Sequence, residues 1–199
     1  MVTILEFITK KREKLFEIMF CFIACGIIGW AFETTVVLIE SGVLTDRGIL
    51  FISFIGNFPV IWGLPFILIY GIGGAVLIWG FKPLANKPVL LIIISIVVMT
   101  LFEYFAAVFC EEVLGQKLWD YSNNFMNFQG RICLTSSIAW GVLSILAVKV
   151  LGPFFLNLYD KIEKKEAKHI RAFHIIKFLV VIYIFVCYLL RPILFPDMV

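Results

Sequence analysis

Hydrophobic residues run in five long blocks, at about 16–39, 58–81, 88–112, 132–156 and 173–195, separated by short polar intervals. Each block is close to the roughly 20 residues that an α-helix needs to cross the hydrocarbon core of a bilayer. Unbroken apolarity over such lengths predicts helices, because a membrane barrel strand alternates polar and apolar residues over only about 10 positions. The pattern therefore predicts an all-α, polytopic integral membrane bundle of about five transmembrane helices. Ahead of the first block, residues 1–17 join Ile4, Leu5, Phe7 and Ile8 to Lys10-Lys11-Arg12-Glu13-Lys14, which suits an amphipathic segment lying on the membrane surface. No small-x-small cleavage pattern follows, so a cleavable signal peptide is not expected. The chain divides accordingly into 1–17, a four-helix core with polar outer loops at 18–156, a charged helix or linker at 157–171, and a fifth helix with an outer tail at 172–199.

Composition sharpens this picture. The chain is 62% hydrophobic and 16% charged, with a mean hydropathy of +1.02. Soluble domains average roughly 45–50% apolar and about 25% charged. The lipid bilayer is thus the first partner, and a net charge of +3 is too small to argue for nucleic acid. The distribution of that charge matters more than its sum. If the hydrophobic blocks alternate across the membrane, thirteen of the 17 basic residues share one side, leaving Arg47, Lys117, Arg131 and Arg191 on the other. The positive-inside rule then puts the N-terminus in the cytoplasm and the C-terminus outside, in a cell membrane. Eight of the 14 acids fall in the outer half: Glu33, Glu40, Asp46, Glu103, Glu111, Glu112, Asp120 and Asp197.

Five cysteines show no CxxC and no His/Cys metal spacing, so no metal is expected. Cys21 and Cys25 lie one turn apart and suit packing. Cys110 and Cys133 fall near one membrane face, where a disulfide competes with two free thiols. His169 and His174 sit in or beside the Lys-rich linker and are expected to be solvated. In the second block Gly71 and Ala75 form a small-x-x-x-small pair, and Pro65 implies a kink or break. Ser137, Gly141 and Ser144 share one face of the fourth block, for packing or for a polar pathway.

The longest polar interval outside the charged ends runs from Lys117 to Ile132 and is wedged between two spanning blocks. Trp119 and Tyr121 suit the headgroup region, where an amphipathic ring has one wet side. That role does not account for Asp120, Asn127 and Arg131. A folded cap carrying Trp119, Tyr121, Ser122 and Asn127 is expected, lying over the outer ends of the first and third helices. An interfacial loop is the plainer alternative.

A loose repeat adds candidates. Phe32-Glu33, Gly42, Asp46-Arg47-Gly48-Ile49-Leu50 and Trp62-Gly63 find counterparts, in order, in Phe102-Glu103, Gly115, Asp120, Gly130-Arg131-Ile132-Cys133-Leu134 and Trp140-Gly141. This suggests a parallel repeat of helix–loop–helix units. Glu33 and Glu103 each lie inside an apolar span, where a charged group costs on the order of 2.5–3.5 kcal/mol on insertion scales, so each is expected to face inward with a partner. Arg47 and Arg131 are the expected partners, with Arg131 reaching Glu103 or Glu33 and Asp120 held by loop amides. The candidate site is Glu33, Arg47, Glu103, Glu112, Asp120 and Arg131. It reads either as Glu–Arg locks or as a proton, cation or polar-substrate site.

Gly29-Trp30-x-x-Glu33, Asp46-Arg47-Gly48-Ile49-Leu50, Pro59-Val60-x-x-Gly63, Glu103-Tyr104, Trp119-Asp120-Tyr121-Ser122, Asn127-x-x-Gly130-Arg131-Ile132 and Trp140-Gly141 together resemble a bacterial family of ABC-transporter type IV membrane proteins. The resemblance covers about 18–150 and leaves the fifth helix outside. It implies a permease-like subunit. The chain contains no Gly-x-x-x-x-Gly-Lys-Ser/Thr, so it offers no P-loop for ATP and no cofactor is expected. An ATPase would be a separate chain, docking on 157–171 because the inner loop at 82–87 is too short. Two other classes remain: a membrane enzyme using the outer carboxylates Glu33, Glu103, Glu112 and Asp120, and an accessory or scaffold subunit. Neither histidine lies on the outer side to complete a nucleophile–base arrangement. A homo-oligomer is left open.

Overall fold

The computed structural model describes residues 4–46, 48–55, 58–113, 115, 117–165 and 169–194. Helices dominate: α1 (Ile4–Ser41), α2 (Leu68–Gly80), α3 (Pro88–Glu112), α4 (Leu134–Leu146), α5 (Gly152–Lys165) and α6 (Ile170–Leu194). A short antiparallel hairpin of β1 (Phe51–Ile55) and β2 (Phe58–Trp62) interrupts them. Four stretches are long and apolar enough to cross a bilayer: Lys11–Ile39, Pro88–Glu112, Leu134–Lys164 and Ile170–Leu190.

The expected spanning helix at 58–81 is corrected. Its first part is strand β2, and α2 has 13 residues. At 1.5 Å per residue it is about 20 Å long, short of the roughly 30 Å hydrocarbon core. The cause is local. Residues 51–62 are rich in Phe, Ile and Val, which favour a pleated strand, and a short apolar run has no periodicity that separates strand from helix. Gly63, just past β2, has φ 80°, and a Cβ there would sit 1.7 Å from the backbone oxygen of Ile49. The break expected at Pro65 lies in the irregular stretch between β2 and α2.

Two helices run on past the boundaries drawn from the sequence. The N-terminal segment is no separate helix, since α1 runs unbroken from Ile4 into the first span. Residues 157–165 of the charged segment likewise continue the fourth helix, and 170–171 open α6. A π-helical turn, Ala147–Leu151, joins α4 to α5, and positions 166–168 lie outside the described residues.

The chain forms two compact units. The first comprises Met1–Ala75 with Gly152–Ile184, and the second Val76–Leu151 with Phe185–Val199. In the first unit, small residues on α1 admit large neighbours. A Cβ on Gly26 would overlap the ring of Phe66, and one on Gly29 would meet Tyr70 at 2.3 Å. The backbone N–H of Ile67 donates to the carbonyl of Gly26 at 3.1 Å, which ties α1 to the entry of α2. Cys21 and Cys25 are buried packing thiols as expected. On α5, Phe155 and Tyr159 turn inward onto Phe20, while Asp160, Lys161 and Lys164 stay exposed.

In the second unit α3 has two faces of opposite character. Leu91, Ser95, Met99, Glu103 and Ala107, spaced by four, are buried. Val89, Ile93, Val97, Leu101, Phe105 and Phe109 are exposed, an apolar stripe suited to the lipid around a spanning helix. The buried stripe meets α4, whose Ser137, Trp140, Gly141 and Ser144 are buried. Ser137 accepts a 2.8 Å hydrogen bond from Thr100, and Gly141 lets Ile92 and Ile96 approach. The small-residue face of the fourth block is therefore a packing face.

Candidate functional site

The loop between α3 and α4 is folded, and its fold comes from its own polar residues. Asp120 Oδ1 accepts from the backbone N–H of Ser122 at 2.9 Å and from its hydroxyl at 2.5 Å. Asn127 donates to the carbonyls of Ser122 and Asn124 at 3.0 and 3.1 Å, and its own oxygen accepts from the N–H of Gly130. Gly130 sits at φ 68°, and a Cβ there would lie 2.5 Å from Ser122 Oγ and 2.8 Å from Asp120 Oδ1. The Tyr121 N–H donates to the Gly130 carbonyl at 2.8 Å, and Trp119 Nε1 donates to the Arg131 carbonyl at 2.9 Å. These bonds join the two arms of the loop, so Trp119, Tyr121, Ser122 and Asn127 form one cap. At its end Cys133 caps α4, its Sγ accepting from the Ser136 N–H at 3.4 Å. Cys110 and Cys133 are both free thiols, so the disulfide alternative falls away.

The cap binds α3 at three levels. Deepest is Glu103, 4% exposed and well inside the apolar span of α3. Its Oε1 accepts from the Tyr121 hydroxyl at 3.0 Å, and its Oε2 accepts from Trp140 Nε1 at 3.2 Å. Above it the Tyr104 hydroxyl donates to Gln129 Oε1 at 3.1 Å, and the Arg131 guanidinium stands 5.8 Å from the Tyr104 ring centre. Outermost, Arg131 places Nε at 2.8 Å and Nη2 at 2.6 Å from Glu111 Oε2, and Nη1 at 2.7 Å from Gln129.

This corrects the expected pairing. Arg131 meets Glu111 rather than Glu103 or Glu33, and Glu103 is held by neutral donors. The hydrogen-bonded Glu111 carboxylate, the largest influence, raises the pKa of Arg131 and keeps it charged. Glu112 is a marginal second partner, 3.8 Å from Nη2 with its side chain 71% exposed. Glu111 was readable from spacing, since it continues the buried stripe four residues past Ala107, whereas Glu112 lies roughly a further 100° around the helix.

Asp120 is exposed and engaged as expected by a loop amide, with Lys117 added at 2.8 Å. The hydrogen bond from Lys117, followed by those from Ser122, holds its carboxyl well below the usual carboxylate range.

In the first unit Glu33 is half-buried and accepts from the Tyr70 hydroxyl at 2.5 Å. Trp30 Nε1 donates to Asp46, whose second oxygen accepts from the Gly48 N–H at 3.2 Å. Arg47 lies outside the described residues. Each unit thus places a glutamate, preceded by phenylalanine in an apolar span, against a tyrosine hydroxyl. The tyrosines come from different places, Tyr70 on α2 and Tyr121 on a loop.

Two features of the first unit carry little signal in the sequence. Lys177 was expected among the cytoplasmic charges, yet it is 4% exposed. Its ammonium stands 4.2 Å from the ring centre of Tyr159, 4.4 Å from Phe173 and 5.1 Å from Phe16. The i,i+4 spacing of Phe173 and Lys177 was its only visible signal. His174 is not a solvated linker residue: it stacks on Phe16 at 3.9 Å and lies 3.7 Å from Glu163.

No curated protein and no solved structure matches the chain. A family model matches residues 20–188, which reaches into α6, beyond the stretch carrying the sequence motifs. The chain therefore belongs to the family described as Putative ABC-transporter type IV, and it is a transport-related, multi-pass membrane protein.

Proposed function

We propose that this chain is the permease-like membrane subunit of a transporter, with its polar site beneath the α3–α4 loop and its energy supplied by a separate ATPase. One observation carries the reading. Glu103 is a buried carboxylate in an apolar span, held by Tyr121 and Trp140 with no basic group bonded to it among the described residues. A membrane carboxylate of this kind is costly to keep and is characteristic of ion and substrate pathways. The Arg131–Glu111 pair, with Glu112 and Asp120 at the cap, makes up the remaining polar groups of this site, and Glu33 with Tyr70 is a separate polar pair within the first unit. The Lys-rich stretch that follows the Leu134–Lys164 helix supports a cytoplasmic face there, with the α3–α4 loop and the C-terminus on the outer face of the cell membrane.

The ATPase would dock on α5. Its exposed Lys161 and Lys164 offer a charged face, while Phe155 and Tyr159 anchor the other face to α1. Tyr159 ties the same helix to α6 through Lys177 and Phe173. The test is purification of the tagged full chain from its own membranes. An ATP-hydrolysing chain should accompany it and be lost with the Lys161→Glu, Lys164→Glu variant. Absence of any such chain overturns the ATPase part of the reading.

A scaffold role is favoured by one specific observation, that Arg131 and Glu103 are fully engaged within the protein. The two roles separate on Glu103→Gln. A scaffold loses assembly, whereas a transporter loses turnover while still assembled.

A further inference from the structure

The bonding around Glu103 distinguishes its two oxygens. Oε2 faces Trp140 Nε1, an indole N–H that donates and cannot accept, so this oxygen stays an acceptor. Oε1 faces the Tyr121 hydroxyl, which can donate or accept. A proton on Glu103 can therefore be shared with a hydroxyl, that of Tyr121 at Oε1 or that of Ser136, whereas Trp140 offers no acceptor, and of the two hydroxyls Tyr121 is the one that belongs to the outer cap. Tyr121 in turn is only partly buried and belongs to the cap.

Among the described residues of this unit, the surrounding charges leave the carboxylate without a counter-ion. Helix α4 carries no charged side chain between Leu134 and Leu146. Within the loop, Lys117 is paired with Asp120, and Arg131 with Glu111 and Glu112. On α3 itself, Tyr104 hydrogen-bonds Gln129. Lys82, on the turn before α3, lies over the Trp79 ring at the opposite end of the helix. The carboxyl thus lies in an apolar span with neutral hydrogen-bond partners only.

We propose that Glu103 is a proton-binding site, loaded and unloaded through Tyr121 from the α3–α4 loop side of the membrane. This rests on the reading of Glu103 as part of the transport site and names the proton as its ligand. In loading, a hydronium ion gives a proton to the Tyr121 oxygen while the tyrosine's own proton passes to Oε1. The phenol remains neutral, one water is released and the carboxylate becomes a carboxylic acid. The Trp140 bond to Oε2 survives in both states and holds the group in register for the reverse step.

Infrared spectroscopy of the full chain in lipid tests this directly. At neutral pH the protein should show a protonated-carboxyl C=O band that shifts in D2O, disappears at alkaline pH and is missing in Glu103→Gln. Tyr121→Phe should keep the band, raise its frequency and slow its deuterium shift. If Glu103→Gln does not fold, the Tyr121→Phe frequency shift serves in its place. A carboxylate at neutral pH, or deuterium exchange at parental speed in Tyr121→Phe, overturns the proposal. No ATPase is present in this measurement. A protonated Glu103 in a chain that no ATPase joins therefore supports the proton site while telling against the ATPase, and the opposite result does the reverse.

Discussion

Arg131 directs two of its nitrogens at a single oxygen of Glu111, Nε at 2.8 Å and Nη2 at 2.6 Å, and so pins the end of the α3–α4 loop to the last turn of α3. Both side chains are mostly withdrawn from solvent, 18% and 22% exposed. Removing one partner leaves the other ion without its match in a partly desolvated place, which costs more than the pair contributes. Arg131→Ala should therefore lower the melting temperature more than Glu112→Gln, whose carboxylate is 3.8 Å away and exposed. The double variant Arg131→Ala, Glu111→Gln should recover part of the loss. Strictly additive losses in detergent-purified protein would show that the two groups do not act together.

Asp120 gives the cap an acid limit. Its folded pKa is held down, first by Lys117 and then by Ser122. Its contribution to stability is thus fully present above the unfolded value of about 4 and is lost as pH falls through the depressed folded value. Melting of the parent and of Asp120→Asn, compared across pH, should differ by a constant amount near neutrality. The difference should shrink in acid below that point. A difference that grows on acidification contradicts the assignment.

Two glycines separate backbone strain from crowding. Gly42 has φ 70° with nothing within 4 Å of the position a Cβ would take, so Gly42→Ala should cost roughly 1–2 kcal/mol, the left-handed penalty alone. Gly63 has φ 80° and the Ile49 oxygen 1.7 Å from that position. Gly63→Ala should cost clearly more and disturb the hairpin. Equal melting of the two variants would mean that the close approach to Ile49 is not maintained.

The basic residues predict sidedness. Cysteines introduced at Ser122 and Ala167 in a chain otherwise free of cysteine should label from opposite faces, Ser122 from outside. Labelling of both from one face would reject the orientation.

Much of the fold was legible because a membrane span is a composition signal as well as a periodic one. Four of the five apolar blocks are long helices, and the folded cap follows from Asp120, Ser122, Asn127 and Gly130, which satisfy one another locally. The hairpin was hidden because Phe51–Ile55 and Phe58–Trp62 are as apolar as a buried helix. The partner of Arg131 was misread because charge alone favoured the deeper glutamate. The stripe from Leu91 to Ala107, continued by four, leads to Glu111. The cage around Lys177 needs rings from α1, α5 and α6 together, a tertiary meeting that no single segment announces.

Glu103 either works in transport or merely holds the fold. The direct measurement is ATP turnover per complex, after reconstitution into lipid, for the parent and for Glu103→Gln purified with whatever ATPase accompanies them. The transporter reading predicts an unchanged ratio of subunits and a several-fold lower turnover in Glu103→Gln. Loss of the complex, with normal turnover in the part that still assembles, would contradict it and assign Glu103 to architecture.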